Sequence, residues 1–127
     1  MMAAISKELQ LQKDYLQNEP VKTIYWGGGT PSLLSSIEIK LVLDLIRSLH
    51  RIAEDAEITL EANPDDLTPL SLTEFREAGI NRLSIGIQTF NTTLLKSLNR
   101  IHDGASAVKS FYDAREAGFG NISIDLM

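Results

Sequence analysis

Thr23-Ile24-Tyr25-Trp26-Gly27-Gly28-Gly29-Thr30-Pro31 is the stretch on which the reading of this chain turns: an apolar run stops abruptly at three glycines and a proline. Three consecutive residues without a Cβ let a strand-to-helix turn take positive φ and bring bare backbone against a ligand. Pro31 fixes the exit from the turn. Taken alone, such a triplet describes a tight βα turn with no ligand, so the surrounding pattern has to decide.

Outward from the turn, apolar spacing alternates between a period of 3.6 and a period of 2 along the whole length, the signature of alternating helices and strands and so of a parallel sheet. The order is a helix, then strand and helix three times over, then a last strand. Ile5, Leu9 and Leu16 share one face of a first helix that ends before Asn18-Glu19-Pro20. Ser35-x-x-Glu38 is a capping box, and Ile37, Leu41, Leu45 and Leu49, with Val42 and Ile46, form the buried stripe of the helix it opens. Thr68-Pro69 starts the next helix and Gly79 closes it; Asp103 and Gly118 bracket the last one in the same way.

An internal repeat sets the strand phase. Arg76-Glu77-Ala78-Gly79-Ile80-Asn81-Arg82-Leu83-Ser84-Ile85 recurs as Arg115-Glu116-Ala117-Gly118-Phe119-Gly120-Asn121-Ile122-Ser123-Ile124. Each strand then alternates. Ile58, Leu60 and Ala62 oppose Thr59 and Glu61; Leu83, Ile85 and Ile87 oppose Ser84, Gly86 and Gln88; Ile122, Ile124 and Leu126 oppose Ser123, Asp125 and Met127. One face meets the helices. The other is small and polar, and Glu61, Gln88 and Asp125 all fall near the carboxyl ends of their strands, the edge at which parallel α/β folds bind ligands. A single polar residue there would be a strand running out into a solvated loop. Three in one phase beside a glycine turn predict a polar lumen holding a small molecule, where a filled barrel core would carry Val, Ile or Leu.

Composition narrows the classes. The chain has 127 residues, 43% of them hydrophobic, which suits one globular domain. A net charge of -5 with no basic run excludes a phosphate-neutralising surface, so no nucleic-acid partner is expected. No apolar stretch approaches the ~20 residues of a membrane span, and nothing marks the N-terminus for export, which predicts a cytoplasmic protein. The absence of cysteine removes disulfides, zinc-thiolate sites, cysteine nucleophiles and iron-sulfur ligation from this segment.

Five ordered motifs resemble one family. Thr23 to Leu34, Glu57 to Pro64, Asn81 to Phe90, Arg100-Ile101-His102 and Ile124 to Met127 are similar to the radical SAM proteins related to oxygen-independent coproporphyrinogen III oxidase, and Glu61-Ala62-Asn63-Pro64 with Arg100-Ile101-His102 most resembles the heme-chaperone branch. The resemblance implies an α/β fold, a partial (β/α)6 TIM-like barrel fragment of about four parallel strands with flanking helices, in which residues 1–127 form a single incomplete core domain. It implies S-adenosyl-L-methionine as cofactor. Gly28, Gly29 and Thr30 of the glycine motif would face its methionine moiety and Glu61 its nucleoside, while Gln88, Arg100 and Asp125 match positions that contact a second S-adenosylmethionine in the coproporphyrinogen enzymes. Heme or a porphyrin is the molecule that the resemblance implies is handled.

The family also binds a 4Fe-4S cluster through a Cys-x-x-x-Cys-x-x-Cys loop, which has no counterpart here. On that ground the chain reads as an excerpt of a longer protein, without catalytic or metal-binding residues of its own and with exposed sheet edges suited to self-association. Two alternatives stand beside the heme-chaperone reading: a coproporphyrinogen III dehydrogenase and a non-catalytic scaffold. His102, a lone loop histidine, is expected to be solvated or capping, and Lys96 and Arg100 to form a solvated face of a short helix rather than a propionate site.

Overall fold

Residues Met1–Met127 are described by a computed structural model. Five helices and four strands follow one another as α1 (Met2–Leu11), β1 (Val21–Trp26), α2 (Ser36–Leu49), β2 (Ile52–Ala62), α3 (Pro69–Ala78), β3 (Arg82–Gln88), α4 (Thr92–Ser97), α5 (Gly104–Glu116) and β4 (Asn121–Leu126), with short 3-10 turns at Pro31–Leu33 and Pro64–Asp66. All neighbouring strands are parallel in the order β1-β2-β3-β4, which leaves β1 and β4 at the edges. That is the architecture expected from the alternating periods.

Caps explain where the helices begin and stop. Ser35 and Glu38 exchange the two bonds of a capping box at α2, and Thr68 and Ser71 do the same at α3. The repeated Arg-Glu-Ala-Gly segments close α3 and α5 with one geometry: Ile80 N–H reaches the Phe75 carbonyl and Gly79 N–H the Arg76 carbonyl, and Phe119 and Gly118 repeat this onto Ala114 and Arg115. Such a Schellman closure needs a left-handed residue, and Gly79 (φ 112) and Gly118 (φ 91) supply it. The next residues, Ile80 and Phe119, are both 1% exposed and lock each helix end into the core.

The core lies between the sheet and its helices. Leu60, Leu83, Ile85 and Ile87 from the strands meet Ile39, Leu43, Leu72 and Phe75 from α2 and α3. Two expectations about helices need correction. The first helix stops at Leu11, short of Leu16, and residues 12–18 form turns in which Gln17 and Asn18 take positive φ. No residue of α1 is fully buried; Met2 and Leu9 pack against the core only in part, and a short helix with so little tertiary packing is marginal in water. In α2 the buried line is Ile39, Val42, Leu43 and Ile46, while Ile37 and Leu41 are 70% and 64% exposed. Two apolar lines run along this helix, and contact with the sheet selects one. On β4, Ile122 packs against the core but Ile124 and Leu126 are exposed, so helices cover only the start of this edge strand.

Candidate functional site

The polar face of the sheet begins with β1. Trp26 opposes Leu60 in the β1–β2 ladder, so the residue after each, Gly27 and Glu61, come side by side. A Cβ on Gly27 would lie 2.7 Å from a Tyr25 ring carbon and 3.2 Å from the Glu61 carboxyl carbon, so only glycine lets this pair close. Tyr25 Oη donates to Glu61 Oε1 at 2.7 Å, and Gly28 N–H donates to Oε2 at 3.1 Å. Each carboxylate oxygen keeps a second lone pair for hydroxyl donors from outside. The hydrogen bond to Glu61, then desolvation and the nearby negative charge, raise the Tyr25 phenol above its ordinary 10.0.

Gly28 and Gly29 follow at φ 81 and 64 with no atom within 4 Å of a notional Cβ, so the turn is open on its outer side. The turn thus leaves bare backbone open on one side, while the Gly28 N–H, expected to be free for a ligand, is already engaged by Glu61. Its task is to hold the carboxylate. Beyond the turn, the Ser32 hydroxyl donates to Asp66 and accepts from Asn63 N–H, fastening the glycine segment to the end of β2.

At the carboxyl ends of the strands lies a polar cavity of about 220 Å³, lined by eleven residues of which one is hydrophobic. Gly29, Thr30, Glu61, Gln88, Arg100 and Asp125, six of the seven residues singled out from the sequence, line it together. Gly28 lies just outside and reaches it through Glu61. Asn63, Ser84 and Gly86 complete much of the wall. A Cβ on Gly86 would stand 3.0 Å from Gln88 Nε2 and 3.9 Å from Asn63 Oδ1, narrowing the space that its absence leaves. Arg100 Nη1 donates to Asn63 Oδ1 at 3.0 Å, so its guanidinium belongs to the wall and not to a solvated helix face; α4 ends at Ser97, before it.

Sequence reasoning places Ser84 on the polar face without singling it out, and it overlooks Tyr25 and Asn63 as site residues. Alternation within β1, with Ile24 and Trp26 on one side and Tyr25 and Gly27 on the other, was the available signal for Tyr25. Asn63 has no such signal, because its role depends on a loop 37 residues away. His102 corrects another expectation: neither solvated nor capping, it is 4% exposed, with Nδ1 3.3 Å from Asp65 Oδ2 and Nε2 3.2 Å from the Ile87 carbonyl.

The residues present suit S-adenosylmethionine: carboxylates for hydroxyl and cationic groups, an arginine for a carboxylate, and glycines where a Cβ would intrude. They do not suit an iron-sulfur cluster, since the chain contains no cysteine and no three His, Asp or Glu side chains converge. A larger cavity of about 530 Å³ opens on the opposite face of β1, beside α1 and α2, but eleven of its sixteen lining residues are hydrophobic. No helix is long and apolar enough to cross a membrane.

Residues 6–127 match the model of the radical SAM superfamily. The heme chaperone HemW of Bacillus subtilis is 47% identical over 84% of this chain and 28% of its own, and that of Escherichia coli 43% identical over 89% and 30%. Among solved structures, the coproporphyrinogen III oxidase HemN of Escherichia coli, described as a radical SAM enzyme, superposes with a TM-score of 0.88 at 33% identity, over 98% of this chain and 29% of that one. The chain thus spans about three tenths of the length of these relatives.

Proposed function

The chain belongs to the radical SAM superfamily, and from that membership we propose that its polar cavity is part of an S-adenosylmethionine site in a protein of the heme-chaperone type. The observation that carries this reading is the Glu61 carboxylate, held by Tyr25 and Gly28 at the mouth of a cavity that also gathers Thr30, Gln88, Arg100 and Asp125. Glu61 would accept from the ribose hydroxyls, the Thr30 hydroxyl and Gly29 backbone would meet the methionine end, and Arg100 would pair with a carboxylate. With Glu61 and Asp125 against Arg100, the wall has an acidic balance that favours a ligand carrying ammonium and sulfonium charges. In this family the cofactor, bound to a 4Fe-4S cluster, supplies radical chemistry; the cluster's ligands are not among these residues.

At about 220 Å³ the cavity is below the ~300–1,000 Å³ usual for a complete small-molecule site, which fits a partial one. Weak binding follows. A Kd near 1 mM corresponds to about 4 kcal/mol, so the suitable measurement is an amide chemical-shift titration into the millimolar range. The amides of Gly28, Gly29, Thr30 and Gly86 are expected to move in the wild-type chain and to stay still in Glu61→Ala. Unmoved amides throughout the wild-type titration would sink the reading and favour a cofactor-free scaffold.

A second reading, a coproporphyrinogen III dehydrogenase, is favoured by the superposition on HemN and by Gln88, Arg100 and Asp125 sharing one cavity. The two part on the activity of a protein of the relatives' full length. Heme binding without decarboxylation of coproporphyrinogen supports the chaperone type, and decarboxylation supports the dehydrogenase.

A further inference from the structure

We propose that His102 is a positioning residue for the polar cavity, holding the Gln88 turn with one ring nitrogen and the Asp65 loop with the other. The need for such a brace is visible in the backbone. Gln88 sits at φ 68, in the left-handed region that a glutamine rarely adopts. Thr89 N–H bonds to the Ile87 carbonyl at 2.8 Å, two residues back, which closes a γ-turn centred on Gln88. A γ-turn with positive φ is rare and strained, and such conformations persist only where the surroundings over-determine them.

Two groups reach this turn from outside it: Met127 N–H, which donates to the Gln88 carbonyl at 2.8 Å from the β4 side, and the buried ring of His102. Its Nε2 approaches the same Ile87 carbonyl at 3.2 Å, while Nδ1 lies 3.3 Å from Asp65 Oδ2, and the side chain is wholly buried. Both partners accept hydrogen bonds, so the brace at the turn requires a proton on Nε2, and the hold on Asp65 requires a second proton on Nδ1. The placement serves two cavity residues together. Gln88 faces the cavity from the tip of the turn, and Arg100, two residues before His102, reaches Asn63, which lies two residues before Asp65. One buried ring thereby ties the β2 end, the β3 end and the Arg100 segment to one another, and the strain at Gln88 is retained where its side chain meets the cavity.

The naming of the ligand rests on the reading above, but the brace can be tested without it. In the wild-type chain, nitrogen NMR of the His102 ring is expected to show a protonated Nε2; a bare Nε2 cannot donate to the Ile87 carbonyl and overturns the proposal. In His102→Leu, which fills the volume without a donor, the backbone coupling constant of Gln88 should leave the positive-φ value. Amide exchange at Thr89 should speed up at least tenfold, while amides of the central strands keep their protection. In His102→Gln, whose amide can replace the Nε2 donor, Thr89 should remain protected. A Gln88 turn that survives in His102→Leu refutes the brace. Where both variants unfold, the ring-nitrogen measurement on the wild type decides alone. In an S-adenosylmethionine titration, His102→Leu should weaken binding about tenfold relative to the wild type. Absence of any binding by the wild type counts against the cofactor reading and leaves the turn measurements in force.

Discussion

The two faces of the sheet are built from alternate residues of the same strands, yet they follow different rules. On the helix side Leu60, Leu83 and Ile85 are fully buried against α2 and α3. On the other side Arg82 donates to Thr59 and Ser123, Ser123 to Ser84, and Ser84 lies 3.4 Å from Asp125, a chain of polar contacts rising to the cavity. The first face sets stability through removal of apolar area from water; the second gives up that gain to display donors and acceptors. Cavity volume does not report this difference, since the larger cavity is the apolar one beside α1.

Neighbours in β3 put the contrast to its hardest test. Leu83→Ala should destabilise by about 2–5 kcal/mol, and Ser84→Ala by about 1 kcal/mol or less, because Ser123 keeps its bond from Arg82 and Asp125 is exposed. Urea denaturation measures both, and equal costs would break the distinction between the faces. A smaller loss, about 1 kcal/mol, is expected for Ser35→Ala, which removes one half of the capping box of α2 and acts on the helix layer alone.

Glu61→Ala sharpens the comparison from the polar side. Its unfolding free energy should stay within about 0.5 kcal/mol of wild type, because the residue is only half-buried, while the amide shifts induced by S-adenosylmethionine disappear. A large stability loss would make Glu61 a structural residue first. The smallest effect is spectroscopic. Tyr25 is raised by its bond to Glu61, so one of three tyrosines should ionise late in an alkaline absorbance titration and return to the ordinary range in Glu61→Ala. Because the folded value lies above the unfolded one, the stability this pair contributes is complete below about pH 10 and is lost as pH rises through the folded value.

Much of the site is legible because it sits on periodic elements. Glu61, Gln88 and Asp125 share a phase that strand alternation reveals, and Gly27 to Thr30 announce themselves by composition. His102 and Asn63 are not legible. They lie in loops, where no period constrains direction, and their partners, Asp65, Ile87 and Arg100, are brought to them by separate elements. The α2 stripe held at Val42 and Ile46 and failed at Ile37 and Leu41 for a related reason: two apolar lines run along the helix, and a hydrophobic pattern cannot choose between lines that satisfy it equally.

By itself the sequence determined the parallel α/β order, the caps of α2, α3 and α5, the strand phase and the glycine turn, since each depends on local backbone preferences or on spacing within one element. Tertiary structure alone decided which line of α2 is buried, how Gly28 N–H and Tyr25 come to hold Glu61, and that His102 is buried against a strained turn at Gln88. Those outcomes require groups far apart in the chain to meet, and the energy of a contact between distant groups is written only where the fold places them together.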